Sequence, residues 1–185
     1  VEILDKFLEI RDKDVLRTFP IIALRHAKAV PADEWDGPDA SRPLAPRGRK
    51  QANALVGPLL AFGARRIVSS PAVRCAKTVG PLSAALGRRV DYSPLISQDA
   101  WEEGATDART VVGQRVRSRK PAVLCSHGPV LPEIIQELAM ATGSLMGSHL
   151  GNASGLATGG FSVVHLSTDN PGSGIVAIET HQPPA

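Results

Sequence analysis

Pro20-Ile21-Ile22-Ala23-Leu24-Arg25-His26 is the stretch on which the fold turns. Four apolar side chains follow a proline and stop abruptly at an arginine and a histidine. A short apolar run bounded in this way reads as a buried strand that delivers polar residues at its carboxyl end. The pattern recurs downstream. Arg66-Ile67-Val68-Ser69 runs into Ser70-Pro71, and Pro121-Ala122-Val123-Leu124-Cys125 runs into Ser126-His127. Residues 90–92 read as a further, shorter strand.

Helices are expected between these strands. Pro46 stands near the start of one over residues 46–61, with Ala52, Leu55, Val56, Leu59 and Leu60 on one face and Gly63 as its stop. Ser70 and Pro71 predict a cap and first turn for another, running to residue 86 and ended by Gly87. Residues 105–117 and 129–142 read as two more, the second closed by Gly143, while residues 31–46, rich in Pro, Asp and Gly, read as a loop. The segments 160–167 and 174–180 flank Thr168-Asp169-Asn170-Pro171-Gly172-Ser173, a hairpin signature. Strand and helix thus alternate, which implies an α/β fold: three layers, a mostly parallel sheet with helices on both faces, and a C-terminal antiparallel hairpin. In such sheets ligands bind beyond the carboxyl ends of the strands, where Arg25-His26, Ser69-Ser70 with Arg74, and Ser126-His127 would meet.

Composition sets the bounds. The chain has 185 residues, 43% hydrophobic and 21% charged, which suits one domain with a real core. Residues 1–18 are charged and mixed in sign and read as a linker or docking segment, leaving 19–185 as the domain. Ten Lys and Arg residues lie between Arg42 and Arg89 without one Asp or Glu, whereas residues 1–41 hold nine of the eighteen acids. A block so one-sided attracts an anionic ligand: phosphate, nucleotide or nucleic acid. Nucleic acid is disfavoured, because the seven aromatic residues form no stacking platform beside the basic block.

Cys75 and Cys125 are too few for a disulfide framework, and neither has an arginine six positions on, as cysteine phosphatases require; Cys125 reads as a small core residue. There is no basic-then-apolar leader and no apolar run of membrane-spanning length, so the expected location is the cytoplasm. The sequence begins with Val rather than Met, and the expectation is a piece of a longer chain.

Two histidines at strand ends and several arginines in an acid-free block suit phosphoryl transfer. There negative charge spreads over three equatorial oxygens, so fixed cationic donors matter most. A neutral imidazole can also attack phosphorus itself and divide hydrolysis into two easier steps. His149, His165 and His181 lack such surroundings and read as loop, strand and tail residues.

The order Arg25-His26, Arg42-Pro-Leu with Gly48 and Gln51-Ala52, Ser69-Ser-Pro-Ala-Val-Arg74-Cys-Ala-Lys-Thr78, and Ser126-His127-Gly128 resembles the histidine phosphatase superfamily, with its phosphoglycerate-mutase-like fold. The resemblance runs from about residue 21 to 138. It implies that His26 is the nucleophile that becomes phosphohistidine, that Arg25, Arg74 and His127 form the phosphate pocket, and that no metal or cofactor is needed. Arg42 resembles the additional, substrate-binding arginine of short bacterial phosphohistidine phosphatases. Larger members place a glutamate general acid after the third strand; Glu102 and Glu103 both qualify, and Glu102 is preferred. Ala27 replaces the usual glycine after Arg-His, and Pro31, Ala32 and Asp33 occupy a stretch where many members carry an asparagine.

Leu24-Arg-His-Ala-Lys-Ala29, Arg42-Pro-Leu-Ala-Pro-Arg-Gly48 and Leu124-Cys-Ser-His-Gly-Pro-Val-Leu-Pro132 further resemble the C-terminal domain of actinobacterial MutT-type Nudix hydrolases. That likeness implies nucleotides or small phosphorylated molecules as substrates, in the setting of oxidised nucleoside triphosphates and dinucleoside polyphosphates. It also implies an N-terminal Nudix domain as partner, since no Nudix box occurs in these residues. Protein phosphohistidine is the alternative substrate, and a phosphate-binding docking domain with little turnover the alternative role.

Overall fold

The computed structural model describes residues 17–145 and 147–183, with Asp5, Leu8 and Arg11 from the segment before them. The expected linker over residues 1–18 therefore lies mostly outside the described residues. Six strands form one sheet: β1 (Thr18–Arg25), β2 (Arg66–Ser69), β3 (Asp91–Tyr92), β4 (Ala122–Ser126), β5 (Phe161–Ser167) and β6 (Ile175–His181). Their order is β3-β2-β4-β1-β5-β6. The first four are mutually parallel, and β5 and β6 add antiparallel pairings beside β1. The α/β expectation with a terminal antiparallel hairpin is the observed architecture.

Residue alternation along the strands makes two cores. Ile22 and Leu24 of β1 face one side with Val123 and Cys125 of β4, packed under Leu55, Leu59, Cys75, Val79 and Leu82. These come from α1 (Pro46–Ala54), α2 (Val56–Ala61) and α3 (Val73–Leu86), with Leu55 joining the first two. Ile21 and Ala23 face the other side with Leu124, covered by Val112, Val116, Ile134, Leu138 and Leu150. That layer is built from α5 (Ala108–Ser118), α6 (Leu131–Thr142) and α7 (Ser148–Ser154); the short α4 (Gln98–Glu102) follows β3 in the chain. Each fully buried Leu or Ile contributes about 1.5–3 kcal/mol relative to exposure, so the central strands are held from both faces.

Three expectations are corrected. The helix over residues 46–61 is two helices, broken at Leu55. Pro58 has no N–H to bond the Ala54 carbonyl, and its ring crowds that carbonyl, so the turn cannot continue. The helix expected from Ser70 starts at Val73 with Ala72 in the capping position and no side-chain cap. Ser70 Oγ instead accepts from Ala72 N–H in a tight turn and reaches His127. His149 belongs to α7 rather than a loop, and His181 closes β6 rather than a tail.

Helix α1 is pinned to the chain just past β1. Ala45 N–H donates to the Lys28 carbonyl at 2.9 Å, and Gly48 packs so closely on that carbonyl that a Cβ would collide with it. Lys28 N–H in turn donates to Gln51 Oε1 at 3.0 Å. Gly48→Ala is therefore expected to cost about 1–3 kcal/mol of stability, the range for forcing an extra methyl into packed structure. Urea denaturation checks it, and a cost below about 0.5 kcal/mol would show that the loop yields freely.

Candidate active site

The site is assembled by register. Arg25 lies opposite Ser126, and Ser69 opposite Cys125, so three parallel strands end at one level. His26 follows the first, Ser70 the second and His127 the third. His26 N–H donates to the Ser126 carbonyl and Ser70 N–H to the Cys125 carbonyl, each at 3.0 Å, extending the ladder by one residue into the site. The two imidazoles meet edge to face, with ring centroids 5.3 Å apart.

His26 is 7% exposed. Its Nδ1 lies 2.8 Å from the Ala27 carbonyl. A carbonyl only accepts, so Nδ1 carries the hydrogen and the lone pair is left on Nε2. Ala27 N–H is itself held by Thr78 Oγ1 at 2.9 Å. Burial pushes the His26 pKa down to about 4, against the raising effect of the Ala27 bond, with Arg74, Arg25 and Arg42 lowering it further. The ring is thus neutral and nucleophilic at ordinary pH.

His127 is fully buried. Its Nε2 lies 2.9 Å from Ser70 Oγ and 3.5 Å from Cys75 Sγ. Among the described residues Ser70 Oγ meets only Ala72 N–H and Nε2, so the one acceptor open to its hydroxyl hydrogen is Nε2, which puts the His127 proton on Nδ1. Desolvation above all, then the neighbouring His26 and Arg74, hold its pKa down to about 2. It acts as a neutral N–H donor.

Each arginine is fixed by hydrogen bonds from its guanidinium. Arg25 Nη1 donates to the Leu156 carbonyl at 2.7 Å. Gly128 leaves room for that guanidinium, since a Cβ there would stand 3.2 Å from Cζ. Arg74, wholly buried, donates through Nη1 to the Asp39 carbonyl and through Nη2 to Asp39 Oδ2, both at 2.6 Å, and through Nη2 to Gln98 Oε1 at 3.1 Å. Arg42 donates through Nε to Asp39 Oδ1 at 2.9 Å and through Nη1 to the Val30 carbonyl at 2.7 Å. Three nitrogens at this site, Arg25 Nε, Arg74 Nε and His127 Nδ1, are buried without a hydrogen-bond partner among the described residues.

Arg25, His26, Arg42, Arg74 and His127 are therefore brought together. Glu102 is not: it is exposed and reaches the cluster only indirectly, its Oε1 accepting from Gln98 Nε2 at 2.9 Å. Glu103, also exposed, follows it on the same turn. Asp39 and Gln98 belong to the site and were not singled out from sequence, while Ser70, Cys75 and Thr78 stand in the motifs quoted above without having been given these contacts. Asp39 carried a readable signal, being three residues before Arg42 at the edge of the acid-free block. No group of three or more His, Cys, Asp or Glu side chains placed to hold a metal occurs among the described residues, and no helix among them is long and apolar enough to cross a membrane.

Comparison with known proteins agrees with this geometry. A family model of the histidine phosphatase superfamily, branch 1, matches residues 21–110. The chain is 33% identical over 133 residues to an 8-oxo-(d)GTP phosphatase of Mycolicibacterium smegmatis, covering 68% of this chain and 41% of that protein. It thus spans less than half the length of this curated relative. Among solved structures, a protein assigned as the phosphohistidine phosphatase SixA of Nakamurella multipartitia superposes with a TM-score of 0.67 at 20% identity, over 93% of this chain and all of that one. A mycobacterial glucosyl-3-phosphoglycerate phosphatase gives 0.63 at 16% identity, over 91% of this chain and all of that one. These likenesses to solved structures speak for the fold. With two buried imidazoles and flanking arginines at the strand ends, the chain belongs to the histidine phosphatase superfamily.

Proposed function

We propose that the chain hydrolyses phosphomonoesters without a metal, through a phosphohistidine on His26. The observation that carries this reading is the Nδ1 bond to the Ala27 carbonyl, which leaves a neutral Nε2 lone pair beside three buried, unpartnered N–H groups. Nε2 attacks phosphorus in line, the P–O bond to the leaving group breaks, and the leaving oxygen takes a proton from solvent or, for a poorer leaving group, from Glu102. Arg25 Nε, Arg74 Nε and His127 Nδ1 offer one donor to each equatorial oxygen while charge builds there. Water then attacks the phosphohistidine, the P–N bond breaks onto Nε2, and inorganic phosphate departs.

Arg42 and the surrounding basic surface bind the rest of the substrate. Nucleotides or small phosphorylated molecules are the proposed class, supported by the likeness to the 8-oxo-(d)GTP phosphatase. The motif resemblance to MutT-type Nudix hydrolases supports a role beside an N-terminal Nudix domain in a nucleotide-sanitising hydrolase, and the greater length of that relative leaves room for a further domain. Protein phosphohistidine is the second substrate class, and a phosphate-binding docking role the second function; the exposed, indirectly linked Glu102 favours the latter. A poor proton donor is tolerable when the leaving group is itself acidic.

In EDTA, hydrolysis of an aryl phosphate and of a nucleotide panel should persist in the unchanged chain and fall at least about 1,000-fold in His26→Gln. Phosphate binding without turnover would establish the docking role instead, and activity abolished by EDTA would sink the metal-free mechanism.

Protonation of His26 removes the attacking lone pair, and its lowered pKa puts that loss near pH 4 rather than 6.5. Once the substrate's own ionisation is allowed for, kcat/KM should hold steady from pH 8 to about pH 5 and decline below. A break near pH 6.5 would mean that His26 is solvated.

Glu102→Gln should change aryl phosphate turnover less than about threefold and alkyl phosphate turnover about tenfold or more, because only the poorer leaving group needs an acid. Equal small effects on both would remove Glu102 from the mechanism.

A further inference from the structure

The arginine most deeply buried in the site already has an anion on it. Asp39 meets Arg74 twice at 2.6 Å, through its main-chain carbonyl on Nη1 and its carboxylate Oδ2 on Nη2. Its other carboxylate oxygen takes Arg42 from Nε at 2.9 Å and from Nη2 at 2.8 Å. Both guanidinium groups are well shielded, Arg74 at 0% and Arg42 at 16% side-chain exposure, whereas Asp39 stands at the mouth at 38%. One carboxylate thus bridges the two arginines that an anionic substrate would use. The guanidinium groups together lower its pKa, outweighing the desolvation that would raise it, so it is ionised.

We propose that Asp39 sets the anion affinity of the site: it holds Arg74 by the Nη edge, turns only Nε toward the phosphate, and offsets one of the three guanidinium charges. This rests on the phosphatase reading above and deepens it. Arg25, Arg42 and Arg74 supply three positive charges, both imidazoles are neutral at pH 7, and Asp39 supplies one negative charge. The balance of two positive charges matches a phosphomonoester dianion without overshooting. Overshoot would be costly in turnover, because the same groups must release inorganic phosphate, also largely dianionic. Tight binding of substrate and product alike lowers KM without raising kcat.

Orientation and charge can be separated at this residue. In Asp39→Asn the main-chain carbonyl still holds Nη1 and Gln98 Oε1 still holds Nη2, so Arg74 stays aimed while the negative charge is gone. Asp39→Glu keeps the charge. A merely structural role would have both variants weaken phosphate binding; the charge role has them diverge.

The test is calorimetric titration of inorganic phosphate into the unchanged chain, Asp39→Asn and Asp39→Glu at low ionic strength, alongside steady-state kinetics. The Asn variant should bind phosphate about tenfold more tightly, the scale of one uncompensated charge near a protein surface. Its KM and kcat should fall together, with kcat/KM changed less than about threefold, and the gain should shrink with added salt. The Glu variant, which keeps the charge, should bind phosphate no more tightly than the unchanged chain. Unchanged or weaker phosphate binding in Asp39→Asn, or parallel behaviour of the two variants, overturns the proposal. Asp39→Ser, also neutral, repeats the reading if the Asn variant does not fold. Binding is measured apart from turnover: if nothing is hydrolysed yet removing the charge tightens phosphate, the phosphatase reading fails and the role of Asp39 stands.

Discussion

The rest of the structure depends on ending three parallel strands at one level. Parallel hydrogen bonding fixes Arg25 against Ser126 and Ser69 against Cys125, and a slip of one residue would turn every side chain to the opposite layer. That outcome is prevented by the cores on both faces, where Ile21 and Ala23 pack one way and Ile22 and Leu24 the other. The positions of His26 and His127 are therefore a consequence of sheet packing. Two rings 5.3 Å apart come from strands 101 residues apart in sequence, because their ladder does not permit another offset.

Burying so much cationic surface needs compensation, and the site provides it unevenly. A lone guanidinium with no exposure is unfavourable by several kcal/mol. Arg74 recovers that through Asp39 and Gln98, and Arg42 through Asp39 and the Val30 carbonyl. The histidines are handled differently: each stays neutral, His26 with its hydrogen on a carbonyl and His127 with its lone pair on a serine. What remains unpartnered is one N–H on each of Arg25, Arg74 and His127. Polar groups left over in a dry site mark where an anion gains most.

Much of this was legible in the chain. The strand ends at Arg25-His26 and Ser126-His127 were readable because an apolar run that stops at a charged pair has few other uses, and the helix stops at Gly87 and Gly143 were readable because both adopt the left-handed conformation that glycine tolerates. Pro58 argues against an unbroken helix, but the apolar periodicity around it masks that signal. Ser70 looked like a cap because capping is the local use of serine; its long-range use, toward His127, depends on β2 lying next to β4, which no local pattern encodes. The spacing of Asp39 to Arg42 is readable, but its reach to Arg74 is hidden for the same reason. A loop carboxylate reads as solvated until the fold brings a buried arginine from 35 residues away. Glu102 shows the converse: its place after the third strand was right for an acid, yet the short helix that carries it leaves the side chain in solvent.

Gln51 gives α1 a second hold on the site. Its Oε1 accepts from Lys28 N–H, just beyond β1, while its Nε2 donates to the Thr158 carbonyl at 3.3 Å, just before β5. Gly159 N–H closes the circuit on the Arg25 and His26 carbonyls. Mechanically this is a crossbar between two loops that flank the nucleophile. Heat or denaturant would loosen both loops as one unit, and a disturbance on the outer face of α1 would be transmitted to His26 without any of the intervening strands having to move.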